Sequence, residues 1–301
     1  MNQNNKHFQS ILKIINKLIH SHDTWEVFYD FLEMCAISIS NILEFNSKRH
    51  EEKENQYLGT IKKYTPEHQI LFSEMFGELI LALEYEYQTR GFTDILGNLF
   101  HELELHNKYK GQFFTPQHVC TLMAKMTIGS KEHSDKIIHD KGYFPVLEPT
   151  IGSGAMVLGF ANAMKEYDYN HSQQLFVIGV DIDLKCVFMS YLQLSLYGIP
   201  AVVVHGNSLT NEEWSRWYTP AYVFGGWSWK RRKGLISADV AIEAEINAEM
   251  ITKPISNNPK ELHEEQKQAK APMQQEYTQP LEQLDLFSLM DMMSNDNSEG
   301  K

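Results

Sequence analysis

From residue 8 to about residue 45, apolar side chains return every three or four positions: Ile11, Leu12, Ile15, Leu18 and Ile19, then Trp25, Phe28, Phe31 and Leu32, continuing to Ile39 and Ile42. That spacing predicts amphipathic helices, and Ser21 with Asp23 marks a break and a new cap. Residues 46–57 are charged and polar and read as a solvated loop or helix end. Thr65-Pro66 then opens another helix, with Thr65 as cap and Pro66 in the first turn, bearing Ile70, Leu71, Met75, Leu79 and Leu81. No alternating or turn-bounded Val/Ile/Tyr run interrupts residues 1–105. They are predicted to be a helical region that packs against the domain formed by the later residues.

The periodicity changes after a polar turn at 106–110. Gly111-Gln112-Phe113-Phe114-Thr115-Pro116 leads into a helix bearing Val119, Leu122, Met123 and Met126, with Thr115 as the expected cap. Tyr143-Phe144-Pro145-Val146-Leu147 is a short apolar run, Glu148-Pro149-Thr150-Ile151-Gly152-Ser153-Gly154 a tight turn, and Ala155 onward helical to about Tyr167. A nearly all-apolar run, Leu175 to Val180, ends in Asp181-Ile182-Asp183 and reads as an inner parallel strand. Another helix runs to Gly198, then a third strand, Ala201-Val202-Val203-Val204-His205, closing on Gly206-Asn207-Ser208-Leu209. Strand, helix, strand, helix, strand at this pace predicts an α/β, Rossmann-like half with right-handed crossovers. Signals for a fourth and fifth strand are missing, so the core is read as truncated relative to a seven-stranded sheet.

Such a topology brings Glu148, Asp181 and Asn207 to the carboxyl ends of three strands, where open α/β sheets bind ligands. The glycines of the first turn permit positive φ and close approach of a ligand to the backbone. Glu148 would repel a phosphate where a phosphate-binding loop carries a lysine. The turn therefore suits a phosphate-free nucleotide such as S-adenosylmethionine, or is an ordinary strand–helix junction; the convergence of the three polar ends favours a ligand site.

Beyond the third strand the pattern breaks. Trp214, Trp217, Tyr218, Tyr222, Phe224, Trp227 and Trp229 crowd into 16 residues, followed by Lys230-Arg231-Arg232-Lys233. Aromatics beside a basic run can stack bases and hold phosphates; they can equally cover a sheet edge beside a solvated charge run. Residues 236–252 are Ala/Glu-rich and predicted helical. Residues 253–301 read as a flexible, disordered tail in which Gln283-Leu284-Asp285-Leu286-Phe287 is a hydrophobic cluster with nothing local to bury against.

Charge modifies this picture only slightly. The net formal charge is −12, but residues from 235 onward hold 13 acidic and 5 basic side chains, which leaves −8 there and −4 on the preceding 234 residues. A local basic face on the body is therefore compatible with the total. Cys35, Cys120 and Cys186 are too scattered for a disulfide framework or a zinc site, so they are expected to be buried hydrophobes and no metal is predicted. Neither a signal peptide nor an 18-residue apolar run is present, and a cytoplasmic, non-membrane protein is expected.

Residues of about 92–210 resemble the N6-adenine DNA methyltransferase family, specifically the modification subunits of type I restriction-modification systems. The resemblance rests on Gly111 to Pro116 as cofactor lid, Glu148 to Gly154 as glycine-rich loop, Val180-Asp181-Ile182-Asp183 as second-strand acid and Gly206 to Leu209 beside the cofactor adenine. It implies an S-adenosylmethionine-dependent methyltransferase domain at 106–235. Asp181 would hold the ribose hydroxyls, Asn207 the adenine, and Ile182 the adenine face. Glu148, Gly152 and Gly154 would line the methionine end, with Phe113, Thr115 and Pro116 closing over it. DNA, bound in part by Trp227, Trp229, Lys230, Arg231, Arg232 and Lys233, is the implied substrate.

One departure concerns the chemistry. The family places Asn/Asp-Pro-Pro-Tyr/Phe after a fourth strand to hold the target amine and stack the flipped base. The nearest counterpart is Thr219-Pro220-Ala221-Tyr222, in which Thr219 brings neither negative charge nor planar amide geometry. Thr219, Pro220 and Tyr222 are thus the only catalytic candidates. A catalytically silent accessory subunit, completed by a specificity or catalytic partner, and a clamp-tethered scaffold remain alternatives. The latter rests on the tail, whose Gln283, Leu284, Leu286 and Phe287 resemble the peptide with which bacterial proteins bind the sliding clamp.

Overall fold

The computed structural model describes residues 5–103, 105 and 115–234. Phe113, the predicted helix at 236–252 and the tail with Gln283, Leu284, Leu286 and Phe287 lie outside the described residues.

Five helices build the amino-terminal region: α1 (Lys6–Leu18), α2 (Thr24–Ile42), α3 (Ser47–Ile61), α4 (Pro66–Thr89) and α5 (Ile95–Glu102). Their starts obey cap chemistry. Asn5, Asp23, Asn46 and Thr65 each accept from backbone amides of the first turn, and Pro66 occupies the position where a missing N–H costs nothing. α3 replaces the expected solvated loop or helix end at 46–57 with a full helix. It is polar nearly all round, so periodicity hides it, and side-chain bonds hold it down instead. Thr60 Oγ1 and Gln56 Nε2 donate to the buried Glu33 carboxylate at 2.6 and 2.8 Å, and Lys53 Nζ donates to Ser40 Oγ at 2.7 Å.

The remaining elements are α6 (Gln117–Ile128), α7 (Lys131–Lys141), β1 (Phe144–Glu148), α8 (Ala155–Glu166), α9 (His171–Gln174), β2 (Leu175–Asp181), α10 (Leu184–Leu196), β3 (Ala201–Asn207), β4 (Glu212–Tyr218), α11 (Pro220–Phe224) and α12 (Trp227–Gly234). α6 begins one residue later than predicted: Pro116, not Thr115, is its cap residue, and no side chain caps it.

The sheet runs β1-β2-β3-β4, with the first three strands parallel and β4 antiparallel. Phe144, Val146, Leu175, Val177, Ala201 and Val203 share one core with α8, α10 and the amino-terminal helices. β1 tolerates a proline because of its register. Val177 N donates to Pro200 O, so the neighbouring β2 residues Phe176 and Ile178 turn their backbone toward β1. With Pro145 opposite Phe176, the missing N–H of Pro145 then falls on the outer edge, where no described strand pairs.

β4 is a fourth strand that the residue pattern did not signal. An antiparallel edge strand needs one buried side rather than an apolar run. Here Trp217 supplies it, 8% exposed and packed edge-on against Phe188 with ring centroids 5.2 Å apart. A bulge at His205/Gly206 begins the hairpin, and a Cβ on Gly206 would collide with the Glu212 carbonyl. All three cysteines are buried and free. No helix among the described residues is long and apolar enough to cross a membrane.

Candidate functional site

Glu148, Asp181 and Asn207 are the last residues of β1, β2 and β3. Parallel pairing in register (Glu148 opposite Gly179, Asp181 opposite His205) puts these ends along one edge of the sheet. The loop after β1 folds back onto β2: Ile151 N donates to Val180 O at 2.8 Å, and Gly152 N donates to Asp181 Oδ2 at 2.8 Å. Gly154, at φ 95°, then starts α8. A Cβ at Gly179 would meet the Ile151 side chain, which packs directly over this position.

Asp181 is held by both oxygens, Oδ2 on Gly152 N and Oδ1 on Asp183 N at 2.9 Å. The Ile182 amide also favours its charged form, and with about four lone-pair sites a carboxylate is oriented by such bonds without being used up. Burial pushes its carboxyl above the usual range, against the pull of those amides. Glu148 is likewise raised, first by burial and further by the Asp181 charge, while Thr150 opposes the shift. Asn207 Oδ1 accepts from Leu209 N at 3.0 Å, which fixes the side chain at the rim. Ile182 stands beside Asp181 with 59% of its surface exposed, an apolar plane at a polar edge. Thr115 and Pro116 are exposed, and the Thr115 carbonyl accepts from Cys120 Sγ at 3.5 Å. One residue beyond, both amide atoms of Gln117 are shut off from solvent with no partner among the described residues. Nothing in the residue pattern beyond adjacency to Thr115-Pro116 pointed to Gln117.

The catalytic candidates lie elsewhere. Thr219 is fully buried: its hydroxyl donates to Ile199 O at 2.9 Å and accepts from Ala201 N at 2.9 Å, while capping α11. Ala201 begins β3 and Asn207 ends it, so Thr219 sits about 20 Å from the polar edge at 3.3 Å per residue. Pro220 comes next, in the first turn of α11, and Tyr222 is buried against Phe176 near the start of β2. The structure thus does not bring Thr219, Pro220 and Tyr222 to the edge carrying Asp181; the antiparallel turn of β4 carries them to the opposite one.

Trp227, expected as a base-stacking residue, is fully buried, stacked on Phe176 at 5.6 Å and 18° and edge-on to Tyr143 at 5.4 Å. It cannot reach a base. Trp229 is 58% exposed, and Lys230 Nζ lies 4.5 Å from the centre of the Trp227 ring. Arg231, Arg232 and Lys233 continue α12. No group of His, Cys, Asp and Glu among the described residues could hold a metal ion.

Residues 90–300 match the N-6 DNA Methylase family. This chain belongs to that family. No curated protein matches it. Among solved structures it is similar to a candidate class I S-adenosylmethionine-dependent methyltransferase from Listeria monocytogenes (16% identity, TM-score 0.37, covering 68% of this chain and 55% of that one). It is similar also to the methyltransferase subunit of a type I restriction-modification system from Streptococcus thermophilus (17% identity, TM-score 0.33, covering 65% and 56%). The chain thus spans little more than half of either protein.

The family implies S-adenosylmethionine as cofactor, and the residues at the edge suit it. The ligand offers a sulfonium cation, a ribose diol and an adenine, and no phosphate. Two carboxylates, a rim amide and an exposed isoleucine match those groups.

Proposed function

We propose that this N-6 DNA methylase family member is an S-adenosylmethionine-dependent DNA methyltransferase of the adenine-N6 type, with the cofactor seated at the carboxyl edge of β1, β2 and β3. The observation that carries the reading is the Asp181 carboxylate, fixed by backbone amides while retaining acceptor capacity. In this reading Asp181 binds the ribose, Asn207 and Ile182 the adenine, and Glu148, Gly152, Gly154, Thr115, Pro116 and Phe113 the methionine end. The bound cofactor would supply an electrophilic methyl group. The chain's own part is to orient it and to exclude water.

A second reading is favoured by one specific observation. Thr219, the only counterpart of the amine-holding residue, is buried at the opposite edge. An accessory role, in which a partner subunit supplies the group that aligns the target amine, accounts for this directly. Trp229 and the basic run of α12 would then serve general nucleic-acid contact, and the segment 283–287 a tether to the sliding clamp.

Calorimetry with S-adenosylmethionine on the full chain is expected to show binding of micromolar order, weakened tenfold or more by Asp181→Ala. Equal affinity in that variant would reject the assigned ribose contact. Incubation with methyl-labelled cofactor and mixed DNA separates the two readings: label on adenine supports the enzyme, and intact cofactor binding without transfer supports the accessory subunit.

A further inference from the structure

Beneath the glycine-rich loop lies a buried carboxylate that the cofactor contacts leave unused. Asp94 caps α5, accepting from Gly97 N at 2.8 Å, and a Cβ on Gly97 would collide with that carboxylate. It also accepts from Gln193 Nε2 of α10 at 2.9 Å on Oδ1 and from Ser153 Oγ at 2.5 Å on Oδ2. Gln193 closes the ring. Its Nε2 donates to the Ser153 carbonyl at 2.7 Å, and its Oε1 accepts from Ile95 N and Leu96 N at 2.8 and 3.1 Å. Exposures are 6% for Asp94, 1% for Ser153 and 0% for Gln193.

Ser153 is therefore gripped at both its hydroxyl and its carbonyl. It stands between Gly152, whose amide holds Asp181, and Gly154, which starts α8. Capping alone does not require this arrangement. An asparagine or serine caps a helix without placing a carboxylate in the interior, where burial pushes the Asp94 carboxyl upward. The three donors come from three separate elements, and two of those elements frame the cofactor edge.

A second buried contact reaches the other side of the same edge. Lys185 is 2% exposed, with Nζ 4.6 Å from the Phe100 ring centre, 5.1 Å from that of Trp25 and 3.2 Å from Asp183 Oδ2. Asp183 N in turn donates to Asp181. The helical region thus touches both loops that bracket Asp181.

We infer that Asp94, acting through Ser153 and Gln193, is a positioning residue by which the amino-terminal helices hold the glycine-rich loop in its ligand-ready shape before any cofactor arrives. The functional consequence rests on the cofactor reading above; the claim about the loop stands without it.

The test is amide hydrogen exchange at Gly152 and Gly154 in the cofactor-free full chain, paired with calorimetry using S-adenosylhomocysteine as probe. Ser153→Ala, which removes only the hydroxyl, is expected to speed exchange at these two amides about tenfold. Exchange in the middle of β2 and α10 should stay unchanged, and the probe should bind at least fivefold more weakly. Asp94→Ala should do the same more strongly. Asp94→Asn, which can keep all three hydrogen bonds by pointing its NH2 at Ser153, should restore the loop. Wild-type exchange at the loop in Ser153→Ala, or acceleration spread evenly through β2 and α10, would overturn the inference. A wild-type chain that fails to bind the probe defeats the cofactor reading instead, while the exchange data still decide the positioning role.

Discussion

The two ends of the sheet are built from the same strands and do opposite things. At the carboxyl edge Glu148, Asp181 and Asn207 are half-buried, acidic or amide-bearing, and held by backbone amides of the loops that follow β1, β2 and β3. At the amino edge Tyr143, Phe176, Tyr222 and Trp227 pack ring on ring, and Thr219 beside them has its hydroxyl satisfied by the backbone. One end presents half-buried polar groups, and the other is sealed. Parallel strands generate this asymmetry, because all their carboxyl ends, with the loops attached to them, gather on one side. β4 reverses direction and returns the chain to the sealed side.

The sharpest break of this comparison would come from the seal. Trp227→Ala is expected to cost about 3–5 kcal/mol, as large buried aromatics do, read as a shift in the urea midpoint; a loss below about 1 kcal/mol would mean the amino edge is not packed as described. Thr219→Val should cost about 1–3 kcal/mol, since the Ala201 amide loses its acceptor. Its S-adenosylhomocysteine affinity should match wild type. Weaker cofactor binding or lost transfer at unchanged stability would return Thr219 to the site.

The open end responds to pH with the opposite sign from a salt-bridged carboxylate. Burial raises the folded-state carboxyl of Glu148 above its unfolded value, so its ionisation opposes folding. The associated stability is fully present below the unfolded value of about 4.3 and is lost as pH rises through the folded one. Glu148→Gln keeps the oxygen that Thr150 bonds, so it should raise Tm at pH 7, with the gain vanishing as pH falls to about 4. A gain that persists in acid would assign the effect to packing instead. The smallest effect is expected at Trp229, which is exposed: Trp229→Ala should shift stability by no more than about 0.5 kcal/mol. A drop in DNA affinity, read by fluorescence anisotropy, would mark it as a contact; an unchanged affinity would leave α12 as cover for the sheet.

Much of this was legible before the fold. Thr65-Pro66 announced α4, and the unbroken apolar runs announced β1, β2 and β3, because a strand buried between layers has no polar face to show. Their polar terminal residues pointed to one edge because right-handed parallel crossovers leave little choice. α3 and β4 escaped because neither buries enough of its own surface to leave a period. Trp227 misled for a related reason: composition reports that seven rings lie close in sequence, not which of them face inward.

What the chain's sequence determined by itself is the order of the periodic helices and the three parallel strands and the chemistry at those strands' ends, since both arise from local periodicity and cap signals read over a dozen residues. What only the tertiary structure decided is which polar groups meet. The Asp94–Ser153 contact joins residues 59 positions apart and the Ile95–Gln193 contact residues 98 apart. The direction of β4 alone sent Thr219 to the sealed edge. Contacts of that range depend on how whole elements stack, and no short window of sequence encodes that.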